Sequence, residues 1–154
     1  MKVVLQRVKS AYVKVDSSII SEINHGYLLL WGIEEADSEV ESEILINKIL
    51  KFRVFSDENL KMNKSIVDIS GEILIVSQFT LAGKLLKGNR PSFVKVKSPE
   101  IAEEMISKIV QAFSKHVTVK TGSFGAMMDV GLINDGPATF VLTARNGKLI
   151  DQAD

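Results

Sequence analysis

The stretch that most constrains this chain is Ile73-Leu74-Ile75-Val76, followed at once by Ser77-Gln78-Phe79-Thr80-Leu81. Four consecutive aliphatics make a buried strand. That strand runs directly into Ser77, Gln78 and Thr80, whose polar groups need partners or a purpose at the end of a buried element. Either they bond their own backbone, as serine and threonine do at strand ends, or they belong to a site. A second stretch near the C-terminus, Asn134-Asp135-Gly136-Pro137-Ala138-Thr139-Phe140, raises the same question. Read locally it is a Gly-Pro turn between two strands. A rigid turn of this kind can also present bare carbonyl oxygens and no flexible side chain, which suits a selector of molecular shape.

Length and composition narrow the chemistry. A chain of 154 residues with 45% hydrophobic content supports one domain with a substantial core. No apolar run reaches the length of a membrane span, so no membrane partner is expected. Lys2 and Arg7 interrupt the N-terminal segment too early for a secretory leader, and a cytoplasmic location is the expectation. There is no cysteine, which removes disulfides, thiolate zinc sites and a cysteine nucleophile. With His25 and His116 as the sole histidines, a multi-histidine metal site is not expected, and no metal or cofactor is assigned. Net charge is zero, so no global field draws in nucleic acid. Charge is nevertheless uneven. Acids crowd Glu34–Glu43, whereas Lys84, Lys87, Arg90, Lys95 and Lys97 follow the polar strand end without an intervening acid. A charge run is commonly a solvated face, yet this one stands where phosphate contact would be useful.

Alternation predicts strands at Val3–Val8, Ala11–Val15 and Ile19–Ile23, a turn at Asn24-His25-Gly26, and a buried strand at Tyr27–Ile33. Ser38 with Glu41 forms a capping box for a helix that should bury Val40, Ile44, Leu45, Ile49 and Phe52. Phe52–Phe55 reads as a short strand and Ser56–Ser70 as a polar excursion. Ala82–Lys97 reads as a long loop, of a kind that is often functional in a small domain. Ser98-Pro99-Glu100 opens a second helix with Ile101/Ala102, Met105/Ile106, Ile109/Val110 and Phe113 on its face. Strands follow at Val117–Lys120, Val130–Ile133 and Thr139–Thr143, and residues 144–154 form a polar, fraying tail beyond a domain of residues 1–143. The expected fold is α/β of the α+β type. Mostly antiparallel strands form a sheet or barrel-like core beside two amphipathic helices, without regular βαβ alternation. Neither a G-x-G-x-x-G fingerprint nor a P-loop is present.

A Ser-His-Asp triad needs a histidine beside the serine, but His25 and His116 both fall at apparent turns and no G-x-S-x-G elbow occurs. Paired carboxylates for glycosyl chemistry would have to come from acids that sit mostly on a helix face. What remains is a site of hydroxyls, an amide and main chain. Such a site has no base to activate a nucleophile, yet it can position a substrate and stabilise an oxyanion through N–H groups. It suits a bond already activated for hydrolysis, such as an aminoacyl ester.

With those residues assembled, the chain resembles a D-aminoacyl-tRNA deacylase of the bacterial/eukaryotic type, the D-Tyr-tRNA deacylase family. Ser77-Gln78-Phe79-Thr80-Leu81 and Asn134-Asp135-Gly136-Pro137-Ala138-Thr139 carry the resemblance. It is supported by Val4–Val8, Arg53-Val54-Phe55-Ser56-Asp57, Lys61-Met62-Asn63, Arg90-Pro91-Ser92-Phe93 and Phe124-Gly125-Ala126 with Met128. It runs from Val4 to about Leu142.

The resemblance implies a homodimer in which the Gly136-Pro137 turn, with a cis peptide, enters the partner's pocket beside the Ser77–Thr80 strand end. There it would face the tRNA's 3′-terminal adenosine and its esterified amino acid. The carbonyls of Gly136 and Pro137 would hold the amino group and leave no room for an L side chain. Glycine has no side chain to reject, so glycyl-tRNA mischarged on tRNA-Ala should also be cleaved. By the same resemblance Phe79 and Thr80 would offer oxyanion N–H groups, while Ser77 and Gln78 would position adenosine. Thr80 could attack, or a water aided by the tRNA 2′-hydroxyl could do so. Phe124, Gly125, Ala126 and Met128 would line the adenine pocket, and Lys84, Lys87 and Arg90 would meet phosphates. Two departures stand out. Lys84 and Leu85 replace the acid and hydroxyl residue frequent in the family, and Ala138 stands where valine is common. Two other readings stay open: a dimer that binds RNA ends without turnover, and a metal-dependent esterase.

Overall fold

The structure is a computed structural model and describes residues 1–86 and 88–151. A long strand, β1 (Lys2–Val15), is followed by β2 (Ser18–Ile23) and β3 (Gly26–Gly32). Helix α1 (Glu39–Lys51) leads to a small hairpin of β4 (Phe55–Ser56) and β5 (Met62–Lys64). Then come β6 (Glu72–Ser77), a 3-10 turn (Phe79–Ala82), α2 (Pro99–Ser114), β7 (Thr118–Thr121), β8 (Asp129–Arg145) and β9 (Lys148–Ile150).

The main sheet runs β7-β6-β3-β1-β8-β9, with β2 paired to the far half of β1. It is mixed. β1 pairs antiparallel with β2, β3 and β8, whereas β3, β6 and β7 are mutually parallel. The α+β class, with mostly antiparallel pairing and two amphipathic helices, is as expected; the two parallel steps, which use α1 and α2 as crossovers, are βαβ units that the sequence pattern did not announce. A helical face was legible in each crossover, but its link to a parallel partner was not.

Strand β6 is buried on both faces, as its aliphatic run requires. Tyr27, Leu29, Trp31, Ile73 and Ile75 face the main core under the helices, together with Leu45, Ile49, Met105, Ile109 and Phe113. Leu28, Leu74 and Val76 point to the opposite face and join Val8, Ala11, Val13 and Ile23, with Met128, Val130 and Leu132 against them. Each fully buried aliphatic of this kind stabilises the fold by about 1.5–3 kcal/mol. Among the described residues no helix packs in that second cluster. The sheet curls over it, which brings the Ser21 hydroxyl of β2 to the Thr121 carbonyl of β7.

Several sequence expectations need correction. β1 is one continuous strand rather than two, because Lys9-Ser10 stays in register with β8 through bulges. Residues 130–143 likewise form one strand, so Gly136-Pro137 interrupts β8 as a bulge and is no turn between two strands. Beyond Ser77 the chain leaves the sheet and coils into the 3-10 turn. Residues 144–150 are no frayed tail. Ala144 is fully buried and exchanges main-chain contacts with Met1, and β9 closes a hairpin on β8. In α1 the capping box between Ser38 and Glu41 is present, but Val40 is exposed while Glu41 is buried. In α2 Pro99 opens the helix as expected, Ser98 makes no side-chain cap, and Ile101 is exposed.

Candidate active site

At the carboxyl end of β6 the last sheet bond runs from Gln78 N to the Trp31 carbonyl at 2.9 Å. The chain then tightens, with Leu81 N donating to Gln78 O at 3.2 Å and Gly83 N to Thr80 O at 3.0 Å. The N–H groups of Phe79 and Thr80 precede the first of these bonds, so the turn contains no carbonyl for them. The Gln78 side-chain amide donates to the Thr80 hydroxyl. Ser77 and Gln78 are half-buried, whereas Phe79 and Thr80 are exposed.

Gly32 makes this arrangement possible. A Cβ there would lie 2.7 Å from Leu81 Cβ and 3.0 Å from Gln78 O, so the turn rests directly on the end of β3. Met128 reaches the same end of the sheet. Its sulfur would be 2.7 Å from a Cβ on Gly122, and that position also borders Val76. Gly122 N is held by Ile75 O at 3.0 Å. Phe124 packs against the main core, Gly125 adopts a positive φ of 74° with open space around it, and Ala126 N closes a turn on Ser123 O.

The loop leaving the turn is more ordered than its composition suggests. Lys84 and Ser92 exchange two main-chain bonds at 2.8 and 2.9 Å, and Phe93 packs edge-on against Phe79 with centroids 5.1 Å apart. Lys84 and Arg90 are exposed on this loop, as are Leu85, Leu86 and Val94. Lys87 lies outside the described residues.

The second stretch is built differently. Gln6 pairs with Thr139 and Val8 with Asn134, so Asp135 to Ala138 bulge opposite the single residue Arg7. Asn134 closes the neck of the bulge. Its Oδ1 accepts from Ala138 N at 2.7 Å, and its Nδ2 donates to Thr139 Oγ1 at 2.8 Å. Arg7 supports the bulge from within. Although only 8% exposed, it donates from Nε to the Asp135 carbonyl at 2.8 Å and from its guanidinium to the Val54 carbonyl. At the apex the Gly136-Pro137 peptide is cis, and Gly136 has φ of 137°, a region that favours glycine. Both residues are exposed.

These two stretches do not meet within one chain. Arg7 is level with Tyr27 and Ile73, and the bulge lies three strands away from β6. Three inter-strand steps and five residues of rise put Gly136 roughly 20 Å from Gln78 along the sheet. Neither histidine is near the 3-10 turn. His25 hydrogen-bonds Glu72 through its carbonyl, at the opposite end of β6, and His116 follows α2. Among the described residues no group of three His, Asp or Glu side chains is placed to share a metal. A groove of about 690 Å³, lined by Lys48, Phe52, Phe140, Leu142 and Ile150, lies between α1 and the β8–β9 hairpin and includes none of the expected site residues.

Arg7 is the supporting residue that a reading of isolated motifs misses. The sequence did hold a signal for it. From Val3 to Arg7 every second residue of β1 is buried, which puts Arg7 on the inner side, where a charge demands partners.

Comparison with known proteins decides the family. A sequence model described as D-Tyr-tRNA(Tyr) deacylase matches residues 4–143. The chain belongs to that family. It is 50% identical over 143 residues to the D-aminoacyl-tRNA deacylase of Exiguobacterium sp. (strain ATCC BAA-1283 / AT1b), covering 92% of this chain and 97% of the relative. It is 46% identical over 145 residues to the D-aminoacyl-tRNA deacylase of Persephonella marina, covering 94% and 99%. A solved structure titled c-Myc DNA Unwinding Element Binding Protein superposes with a TM-score of 0.89 at 42% identity, over 94% of this chain and 99% of that one. A probable eukaryotic D-amino acid tRNA deacylase shares the fold, with a TM-score of 0.74 at 16% identity over 91% and 97%.

Proposed function

We propose that this chain hydrolyses the ester bond of D-aminoacyl-tRNA, releasing the D-amino acid and free tRNA. Membership of the deacylase family carries this reading. The geometry of the 3-10 turn fits it: two leading N–H groups and polar side chains stand at the exposed end of a rigid strand, with no histidine close by. In this mechanism the terminal adenosine lies against Ser77, Gln78, Phe124, Gly125, Ala126 and Met128. The ester carbonyl points at the N–H groups of Phe79 and Thr80, which hold the negative charge that grows as water attacks. A single such donor is worth about a hundred- to a thousandfold in rate. Among the described residues the side chain hydrogen-bonded to the Thr80 hydroxyl is the Gln78 amide, which is no base, so water aided by the tRNA 2′-hydroxyl is taken as the nucleophile. Lys84, Lys87 and Arg90 meet the phosphates of the acceptor end.

Selectivity in this reading comes from Gly136-Pro137. Its carbonyls receive the substrate's amino group, and the closeness of the main chain excludes an L side chain. Glycyl-tRNA passes, because it presents no side chain. The separation of roughly 20 Å between the selector and the 3-10 turn of the same chain supports a homodimer in which each selector serves the partner's site. Such an enzyme works among charged tRNAs in the cytoplasm.

Deacylation of D-Tyr-tRNA and L-Tyr-tRNA, side by side with chelator present, tests the reading. Rapid loss of the D ester alone is expected. Equal loss of both removes the chiral selector, loss abolished by chelator favours a metal-dependent esterase, and binding without loss favours an RNA-binding dimer. Sedimentation at assay concentration should give twice the monomer mass.

A further inference from the structure

We propose that His25 is a positioning residue for the Gly136-Pro137 selector and acts through Asp135. This rests on the chiral reading above and goes one residue beyond it.

His25 Nε2 lies 3.3 Å from Asp135 Oδ2, and Arg7 Nε lies 3.6 Å from the same oxygen. One carboxylate oxygen is therefore held between two side chains. Arg7 approaches from the buried side, and His25, with a side chain 53% exposed, approaches from solvent. Asp135 is the first residue of the bulge and is bonded directly to Gly136. The far arm of the bulge is fixed by the Asn134 side chain on Ala138 and Thr139, whereas the near arm depends on Asp135.

His25 is well braced for this role. Its ring stands edge-on to Phe55, with centroids 5.1 Å apart, and Phe55 stacks on buried Tyr27 at 5.0 Å. The turn that carries it is pinned twice to Glu72: Glu72 N donates to the His25 carbonyl at 3.1 Å, and Asn24 N donates to Glu72 Oε2 at 2.8 Å. The imidazole thus extends from the rigid sheet to the bulge.

Removing the imidazole frees the near arm on its solvent side while Arg7 still holds it from within. Small displacements of Gly136 then matter most for exclusion of the L side chain, which depends on close steric fit. Cleavage of the D ester, whose side chain is not the one the selector excludes, depends on it less.

The test compares wild type, His25→Ala and His25→Gln by kcat/KM on D-Tyr-tRNA and L-Tyr-tRNA, with urea unfolding alongside. His25→Ala should lower the D/L ratio about two- to fivefold, the range open to a partly exposed polar contact. The change should come mainly from faster L cleavage, with D cleavage altered less and the unfolding midpoint held. His25→Gln, whose amide nitrogen can approach the same carboxylate, should restore the ratio. In an Asp135→Asn background, His25→Ala should add no further change. A discriminating wild type beside a His25→Ala variant of unchanged ratio overturns this proposal alone. A wild type that cleaves both esters equally overturns the chiral reading and the proposal with it.

Discussion

Arg7 Nε donates to the carbonyl oxygen of Asp135 at 2.8 Å, from a side chain that is almost wholly buried. Its guanidinium also serves the Val54 carbonyl, so one residue ties β8 to the segment that enters the β4–β5 hairpin. Arg7→Ala would leave both carbonyls without this donor and Asp135 without its buried counter-charge. The expected cost is about 3 kcal/mol in urea unfolding. Arg7→Lys keeps the charge but cannot reach both carbonyls, and should recover less than half of that loss.

Gly32 gives a second expectation. A methyl group there would meet Leu81 Cβ at 2.7 Å and Gln78 O at 3.0 Å, both belonging to the turn rather than to a flexible side-chain tip. Gly32→Ala should cost about 1–3 kcal/mol in stability. Because relief requires the turn to lift off β3, deacylation of D-Tyr-tRNA should fall more than tenfold while the fold, followed by circular dichroism, persists.

Glu41 predicts a pH dependence. The Ser38 hydroxyl and the Gly147 and Ser38 N–H groups all hydrogen-bond its carboxylate, and they pull its pKa down to about 2 despite burial. A group whose pKa is lower in the folded state stabilises above its unfolded value and loses that contribution as pH falls through the folded one. With an ordinary value of 4.5, the window is about pH 4.5 to 2. Glu41→Gln should be less stable than wild type at pH 7, by on the order of 2 kcal/mol. The gap should narrow on acidification through that window, as read by urea midpoints at pH 7, 4 and 3.

Glu41 also marks where sequence reading stopped. The pattern Ser38-x-x-Glu41 announced the capping box, because both partners lie within one turn of the chain. The bond from Gly147 N to the other oxygen of Glu41 joins residues 106 apart, and no local pattern encodes it. For the same reason residues 144–150 read as a loose tail: their partners are Met1, Glu41 and β8. The buried strand Ile73–Val76 was legible from its composition, and the polar residues after it from their contrast with it. That Gly136-Pro137 sits in a bulge rather than a hairpin was not legible, because only the register against Gln6 and Val8 distinguishes the two.

Thr80 separates two routes of ester cleavage. Its hydroxyl accepts a hydrogen bond from the Gln78 amide, and among the described residues no carboxylate or imidazole is hydrogen-bonded to it. If Thr80 attacks the ester, Thr80→Ala abolishes turnover and the wild type forms an acyl-enzyme, visible as a burst of released tRNA. If water attacks and Thr80 contributes through its N–H, alanine keeps that N–H and loses only the hydroxyl's contact with Gln78. The second outcome is expected: Thr80→Ala should retain activity within about tenfold of wild type. Thr80→Pro removes the N–H as well as the hydroxyl, so it should fall about a hundredfold or more. Rapid-quench measurement of tRNA release by all three proteins gives the comparison, and a burst in the wild type would reverse the assignment.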